Sequence, residues 1–217
     1  MALKNKDVMI GVITRAVENI LKEYKERLVP IGVSNRHVHL RREDLDFLFG
    51  KGYELTKIKD LGQPGQFAAN ETVEIIGPKG SFKKVRILGP VRDATQVEVS
   101  LSDGYQLGIK PLIRESGKIE NTSGILIKGP KGSVAKNCGV IAALRHIHMT
   151  PEIAKAYGVR DKEMVDVETK GIRRTVFGNV LVRVSPKYSL EMHIDVDEAN
   201  SSGLKNGDKV KILKNKE

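Results

Sequence analysis

An Arg-His-x-His tetrad occurs twice in this chain, as Arg36-His37-Val38-His39 and as Arg145-His146-Ile147-His148. Each copy ends a run of strand-type residues and leads into a short helical pattern and then glycine. Met192-His193-Ile194 repeats the arrangement with one histidine, followed by Asp195-Val196-Asp197-Glu198 and then Gly203. After the last two copies come a polar turn and another strand, Asp161-Lys162-Glu163-Met164-Val165 and Gly207-Asp208-Lys209-Val210. The expectation is a set of duplicated β-barrel building blocks with histidines at equivalent strand ends. A pentapeptide is also repeated letter for letter, Gly77-Pro78-Lys79-Gly80-Ser81 and Gly129-Pro130-Lys131-Gly132-Ser133. Each copy lies between apolar runs, as a hairpin turn does, with Gly supplying a positive φ and Pro a fixed one. A phosphate-binding loop is the sharper alternative, but the Walker pattern is absent.

The remaining pattern agrees with a mainly β chain. Short strand-type runs are expected at 31–38, 71–76, 84–88, 95–100, 124–127, 140–147, 164–168, 174–184, 190–194 and 209–213. Their close spacing suits barrels or sandwiches, not a sheet of βαβ units. Brief helices are expected at 42–48, 151–157 and 196–202. Residues 7–28 form an amphipathic pattern, with Asp7 as N-cap and Pro30 as the stop. That helix either docks on its own protein or serves as a detachable targeting segment.

The 217 residues leave room for one large domain or two joined small ones. No apolar run reaches the roughly 20 residues of a membrane span, and charged residues interrupt any signal-peptide core near the N-terminus. A single cysteine, Cys138, fits a reducing, cytoplasmic compartment and is expected to be a buried structural thiol. The formal charge of +10 suits either nucleic acid or a small anionic substrate. Nucleic-acid motifs and base-stacking aromatics are missing, which favours the small anion.

Alternate residues of a strand share a face about 6.5–7 Å apart, so each His-x-His presents two imidazoles on one side. Neutral imidazole is a common ligand of zinc and related ions. The two tetrads plus His193 account for all five histidines. Five exceed the usual three protein ligands of one catalytic zinc, so two adjacent ions with an added carboxylate are expected. Glu98 is the best carboxylate, although a solvent-facing glutamate has the same periodicity. Asp195, Asp197 and Glu198 near His193 equally suit helix capping. Arg92 is a natural phosphate receptor beside cations, or an ordinary surface arginine. Arg36 and Arg145 are expected to face away from the metals, in structural or supporting roles.

The chain resembles the phosphate propanoyltransferase (phosphotransacylase) family of the propanediol-utilisation type from about Pro30 to Leu213. The resemblance rests on Gly32-Val33-Ser34-Asn35-Arg36-His37-Val38-His39-Leu40, Gln63-Pro64-Gly65-Gln66-Phe67-Ala68-Ala69, Val85-Arg86-Ile87-Leu88-Gly89-Pro90 and Thr95-Gln96-Val97-Glu98. It continues through Leu144-Arg145-His146-Ile147-His148-Met149 and Leu190-Glu191-Met192-His193-Ile194-Asp195 into Asp197-Glu198-Ala199-Asn200. The resemblance implies two closely associated β-barrels capped by short helices. Residues 30–48 with 140–217 would form the first and 49–139 the second, with residues 1–29 as the N-terminal helix. It implies two zinc ions, one held by His37, His39 and Glu98, the other by His146, His148 and His193, with Arg92 on phosphate. It also implies a dimer or larger homo-oligomer, and for some members encapsulation in a bacterial microcompartment through the N-terminal helix.

The implied reaction is acyl-CoA plus phosphate giving acyl phosphate plus CoA. One ion, thiolate-tolerant, would face the departing sulfur; the other, with Arg92, would face phosphate. The sequence offers no convincing nucleophile triad, so no covalent acyl-enzyme is expected. A dinuclear zinc hydrolase of thioesters or phosphate esters is the first alternative. A basic, metal-stabilised binding module is the second.

Overall fold

The computed structural model describes residues 2–213, with side chains from Val8 onward; Met1 and residues 214–217 lie outside it. The chain is mainly β. A long helix, α1 (Ala2–Glu26), leads into β1 (Leu28–Ser34) and β2 (His37–His39), then α2 (Arg42–Phe49). Next come β3 (Lys57–Asp60), β4 (Phe67–Ile76), β5 (Ser81–Gly89), β6 (Gln96–Glu98), α3 (Leu101–Leu107), β7 (Leu112–Arg114), β8 (Ser123–Lys128) and β9 (Ser133–Ala143). The last part is β10 (His146–Met149), α4 (Pro151–Tyr157), β11 (Met164–Glu168), β12 (Val176–Val184), β13 (Glu191–Asp195), α5 (Val196–Ser202) and β14 (Lys209–Ile212).

These strands close two six-stranded barrels. The first runs β1-β13-β10-β12-β11-β14 and back to β1. The second runs β4-β5-β2-β6-β9-β8 and back to β4, with β3 and β7 added beside β4 and β9. Each barrel surrounds its own apolar core, rich in Val, Ile and Leu: Ile31, Ile147, Val182 and Met192 in the first, Val38, Ile87, Val97 and Ile127 in the second. Closure pairs every strand edge of the ring and leaves alternate residues pointing inward.

The chain passes between barrels at two equivalent places. The runs expected as single strands, 31–38 and 140–147, each break at the residues before the tetrad. β1 belongs to the first barrel and β2 to the second; β9 belongs to the second and β10 to the first. The expected division at 48/49 and 139/140 is therefore corrected. β2 pairs with β5 and β6, and β9 with β6, β7 and β8, so the crossings fall near Asn35 and Leu144.

The N-terminal helix starts earlier than expected, so Asp7 lies inside it and is not its cap. It stops at Glu26, where Arg27 takes φ +55°, and Pro30 sits within β1. Its apolar residues from Val8 to Leu21 are exposed. In its last turns Tyr24 packs edge-on against Tyr157 at 5.7 Å and Glu23 pairs with Lys209.

Both repeated pentapeptides are hairpin turns, closed by Gly77 N–H donating to Gly80 O (2.9 Å) and Gly129 N–H to Gly132 O (2.9 Å). Their glycines are not in the positive-φ region, contrary to expectation. They are small because each turn lies against the end of a helix: a Cβ on Gly77 would collide with Leu107 O, and one on Gly129 with Leu48 O. Lys79 N–H and Lys131 N–H donate to those two carbonyls, at 3.1 and 3.0 Å, and so satisfy helix-end acceptors.

Candidate active site

The site is assembled by antiparallel pairing of the strands that end each repeated block. In the second barrel, β2 lies against β6 with His37 opposite Glu98 and His39 opposite Gln96. In the first, β10 lies against β13 with His146 opposite His193 and His148 opposite Glu191. Opposed residues of a sheet share a face, so each pairing gathers its ligand-type side chains on one side. Within each set, His37–His39–Glu98 and His146–His148–His193, one donor atom per residue lies within 4.8 Å of the others. All six line one cavity of about 760 Å³ between the barrels, as does Arg92.

The imidazoles are oriented by backbone. A ring nitrogen, Nδ1, of His37 lies 2.8 Å from Asn35 O, and that of His146 lies 2.8 Å from Leu144 O. When Nδ1 carries the proton it donates to the carbonyl and leaves Nε2 as a free electron pair. His148 has both ring nitrogens buried without a hydrogen-bond partner, and its ring stacks on Tyr188 at 4.3 Å. A buried imidazole with two orphaned nitrogens costs free energy unless something further binds there. The donor set and this orphan fit a divalent, zinc-like cation.

Electrostatics favour the same use. Burial, with His193 nearby, holds His146 down at about 4. Burial, with His146 and His193, pushes His148 lower still, and burial with His37 keeps His39 well below its usual value. These rings are neutral at physiological pH, the form that binds metals. His37 goes the other way: burial opposes its charge, but the Glu98 carboxylate outweighs this and raises it. Glu98 stays ionised despite burial, because His37, His39 and Arg92 hold its carboxyl far below the usual range.

Glu98 is therefore no solvent-facing residue. Its Oε2 lies 3.5 Å from His37 Nε2 and its Oε1 3.9 Å from His39 Nε2. Oε1 also accepts from Gln96 Nε2 (2.6 Å) and Ser116 Oγ (3.0 Å). Arg92 reaches the same serine, Nη1 to Oγ 3.4 Å, from a loop whose backbone N–H donates to Leu40 O.

Other expected residues lie elsewhere. Asp195 and Glu198 form the capping box of α5, while Asp197 accepts from Ser102 N–H at 2.9 Å. Arg36 and Arg145 pair with Asp103 and Glu198; Arg145 does not line the cavity, whereas Arg36 does. Cys138 is half-buried on β9, not fully buried as expected, and does not line the cavity.

Sequence reasoning passed over four cavity residues. Ser116 positions Glu98, and Tyr188 packs on His148. Glu191 Oε2 lies 2.7 Å from His193 Nε2 and 3.3 Å from Gln63 Nε2. Arg183 stands opposite His148 on β12. Two signals were available. Glu191-Met192-His193 has the same alternation as His-x-His, and Arg183 interrupts the apolar run Val180-Leu181-Val182-Arg183-Val184.

Two β-barrels contributing to one histidine-lined cavity define a two-barrel β enzyme. The family model described as phosphate propanoyltransferase matches residues 30–205. A phosphate propanoyltransferase of Thermotoga maritima is 54% identical over 200 residues, 92% of this chain and 94% of the relative. Proteins of the same name from Priestia megaterium and Lachnoclostridium phytofermentans are 53% and 51% identical, over 94% and 96% of this chain and 94% and 100% of their own. The chain belongs to the phosphate propanoyltransferase family, and its activity is that of an acyltransferase. Among the described residues no helix is long and apolar enough to cross a membrane.

Proposed function

We propose that this acyltransferase moves a short acyl group, propanoyl or acetyl, between coenzyme A and inorganic phosphate at a dinuclear zinc site. His37, His39 and Glu98 would hold one ion and His146, His148 and His193 the other. The observation that carries this reading is the gathering of two complete donor sets in one cavity, with His148 left without a partner in the protein. When bound, the ions supply Lewis acidity toward oxygen and tolerance of a thiolate.

The chain's own residues do the rest. Arg92 offers a two-pronged guanidinium to phosphate and is kept in place by Ser116. Gln96 and Ser116 fix the Glu98 carboxylate, so it cannot swing toward substrate. Lys59 and Arg86 add positive charge to the cavity lining, which suits the phosphates of coenzyme A. In the transfer a phosphate oxygen attacks the thioester carbonyl carbon, the C–S bond breaks, and the proton of monohydrogen phosphate ends on the departing thiol. Holding both reactants in one pocket supplies proximity and limits access of water to the thioester. A covalent acyl-enzyme is not part of the scheme, since Ser116 is committed to Glu98 and Cys138 lies outside the cavity.

The reading extends to a homo-oligomer and to docking through the exposed apolar residues of α1, including Val8, Ile13, Val17 and Leu21, on a microcompartment partner. The deciding experiment measures free CoA released from propanoyl-CoA by zinc-loaded protein with and without phosphate. Release that requires phosphate and yields acyl phosphate supports transfer. Equal release without phosphate indicates a hydrolase and overturns the reading.

A further inference from the structure

Arg92 comes from the second barrel; the first barrel carries a counterpart. Arg183 is paired with His148 across β12 and β10, so the two side chains leave the same face, and both line the cavity. The side chain is only 20% exposed. Its polar partners are the Tyr188 hydroxyl, 3.3 Å from Nη2, and Glu115, whose Oε1 is 3.6 Å from Nε. Glu115 also pairs with Lys118 (3.1 Å) and Lys162. One carboxylate is thus shared among three cations and leaves Arg183 incompletely balanced. Its charge also reaches the other arginine: burial holds Arg92 below its usual value, the Glu98 carboxylate opposes this, and Arg183 adds to the lowering. Glu98 and the shared Glu115 balance these two half-buried guanidinium groups only in part, so a further anion beside them would relieve their mutual repulsion.

We propose that Arg183 is a second phosphoryl-binding residue, gripping inorganic phosphate and the phosphoryl end of acyl phosphate together with Arg92. The inference rests on the proposed reaction and deepens it. A phosphate dianion has oxygens enough for two planar donors, one from each barrel, and both barrels would then hold the same substrate group. Tyr188 and Glu115 set the plane of the Arg183 guanidinium. Binding would leave the donor atoms of His146, His148 and His193 untouched.

The test compares wild type with Arg183→Gln and Arg183→Lys, all zinc-loaded and of measured metal content. Loss of a charge-assisted contact predicts a rise of about tenfold or more in KM for phosphate in Arg183→Gln. KM for propanoyl-CoA should move by less than about twofold, metal content should be unchanged, and Arg183→Lys should fall between. A shift confined to KM for propanoyl-CoA assigns the residue to the coenzyme and overturns the proposal. Lower thermal stability with both KM values unchanged assigns a structural role and also overturns it. A second readout needs no turnover: inorganic phosphate should raise the melting temperature of wild type and not of Arg183→Gln. An equal rise in both, or none in either, sinks the inference. If phosphate stabilises only wild type yet no phosphate-dependent CoA release occurs, the proposed reaction fails and the anion site stands.

Discussion

Arg36 grips Asp103 with two parallel hydrogen bonds, Nη2 to Oδ1 at 2.7 Å and Nε to Oδ2 at 3.0 Å. Asp103 is also the acid of the capping box that starts α3, accepting from Ser100 N–H at 3.2 Å. The pair thus ties the residue before His37 to the helix that follows Glu98, and holds together the two strands of one histidine–carboxylate set. The other barrel repeats the device: Arg145 lies 3.1 Å from Glu198, the acid of the α5 capping box. Arg36 additionally stacks over Phe82, 4.2 Å from the ring centre. Asp103→Ala removes a cap and a buried charge-assisted pair, so a loss of ~2–4 kcal/mol in stability is expected. Chemical denaturation of metal-free protein measures it. Asp103→Asn, which keeps an acceptor for the cap but not the charge, should lose less; equal losses would show that the cap adds nothing and that the whole effect lies in the charged pair with Arg36.

Glu98→Gln separates the two donor sets. The amide keeps the shape of the side chain but removes the charge that His37, His39 and Arg92 surround. Elemental analysis after zinc reconstitution should fall from two ions per chain to one, and turnover should drop by about a hundredfold or more. His146→Ala strikes the other set and should likewise cost one ion and most of the turnover. Full zinc content and an unchanged rate in either variant would disprove the ligand assignment.

The histidine pattern was legible because His-x-His has meaning at strand spacing, and the strands formed where alternation was strong. Glu98 was placed only by pairing across a sheet, since periodicity cannot tell an inward polar face from a wet one. The barrel crossings at Asn35 and Leu144 were hidden for a related reason. Both barrels bury the same Val and Ile types, so composition does not change at either crossing, and only long-range pairing reveals which barrel each strand joins. β3 was missed because all four of its residues are exposed, leaving no buried alternation. Helix α3 was missed too, although Ser100-x-x-Asp103 is a readable start signal. Gly104 inside it weakens the helical pattern but is needed where the helix meets Pro111: a Cβ there would lie 2.5 Å from Pro111 Cδ.

The lowered His146 gives the metal-free protein a defined acid sensitivity. Its folded value is about 4 against 6.5 for the free ring. As pH falls from 6.5 to 4, the unfolded chain takes up a proton that the folded one refuses, so stability declines across that window. Below it the penalty is complete, on the order of 3 kcal/mol. His37 works in the opposite sense, since its raised value stabilises the folded state in acid and fades as pH rises through that value. Subtracting the His146→Asn variant from wild type isolates the first effect. Urea midpoints in chelator at pH 7.5 and 4.5 should show wild type losing about 3 kcal/mol more than the variant. Parallel losses would place the acid sensitivity elsewhere.

The repeated hairpin turns offer a test of close packing independent of the chemistry. Gly129 has its backbone against the end of α2, where an added Cβ would stand 2.7 Å from Leu48 O and 2.8 Å from Leu48 Cβ. The carbonyl is held there by the N–H of Lys131, so it cannot retreat without breaking that bond. Gly129→Ala should therefore destabilise by ~1–3 kcal/mol through overpacking. Gly11, within α1, has nothing within 4 Å of its would-be Cβ. Gly11→Ala replaces a poor helix former by the best one in an exposed helix, which favours local helix by up to ~1 kcal/mol. Helical content by circular dichroism should rise slightly for Gly11→Ala, while the melting temperature should fall for Gly129→Ala. A Gly129→Ala protein as stable as wild type would mean that the turn and α2 are not in the close contact that makes glycine necessary in the repeated pentapeptide.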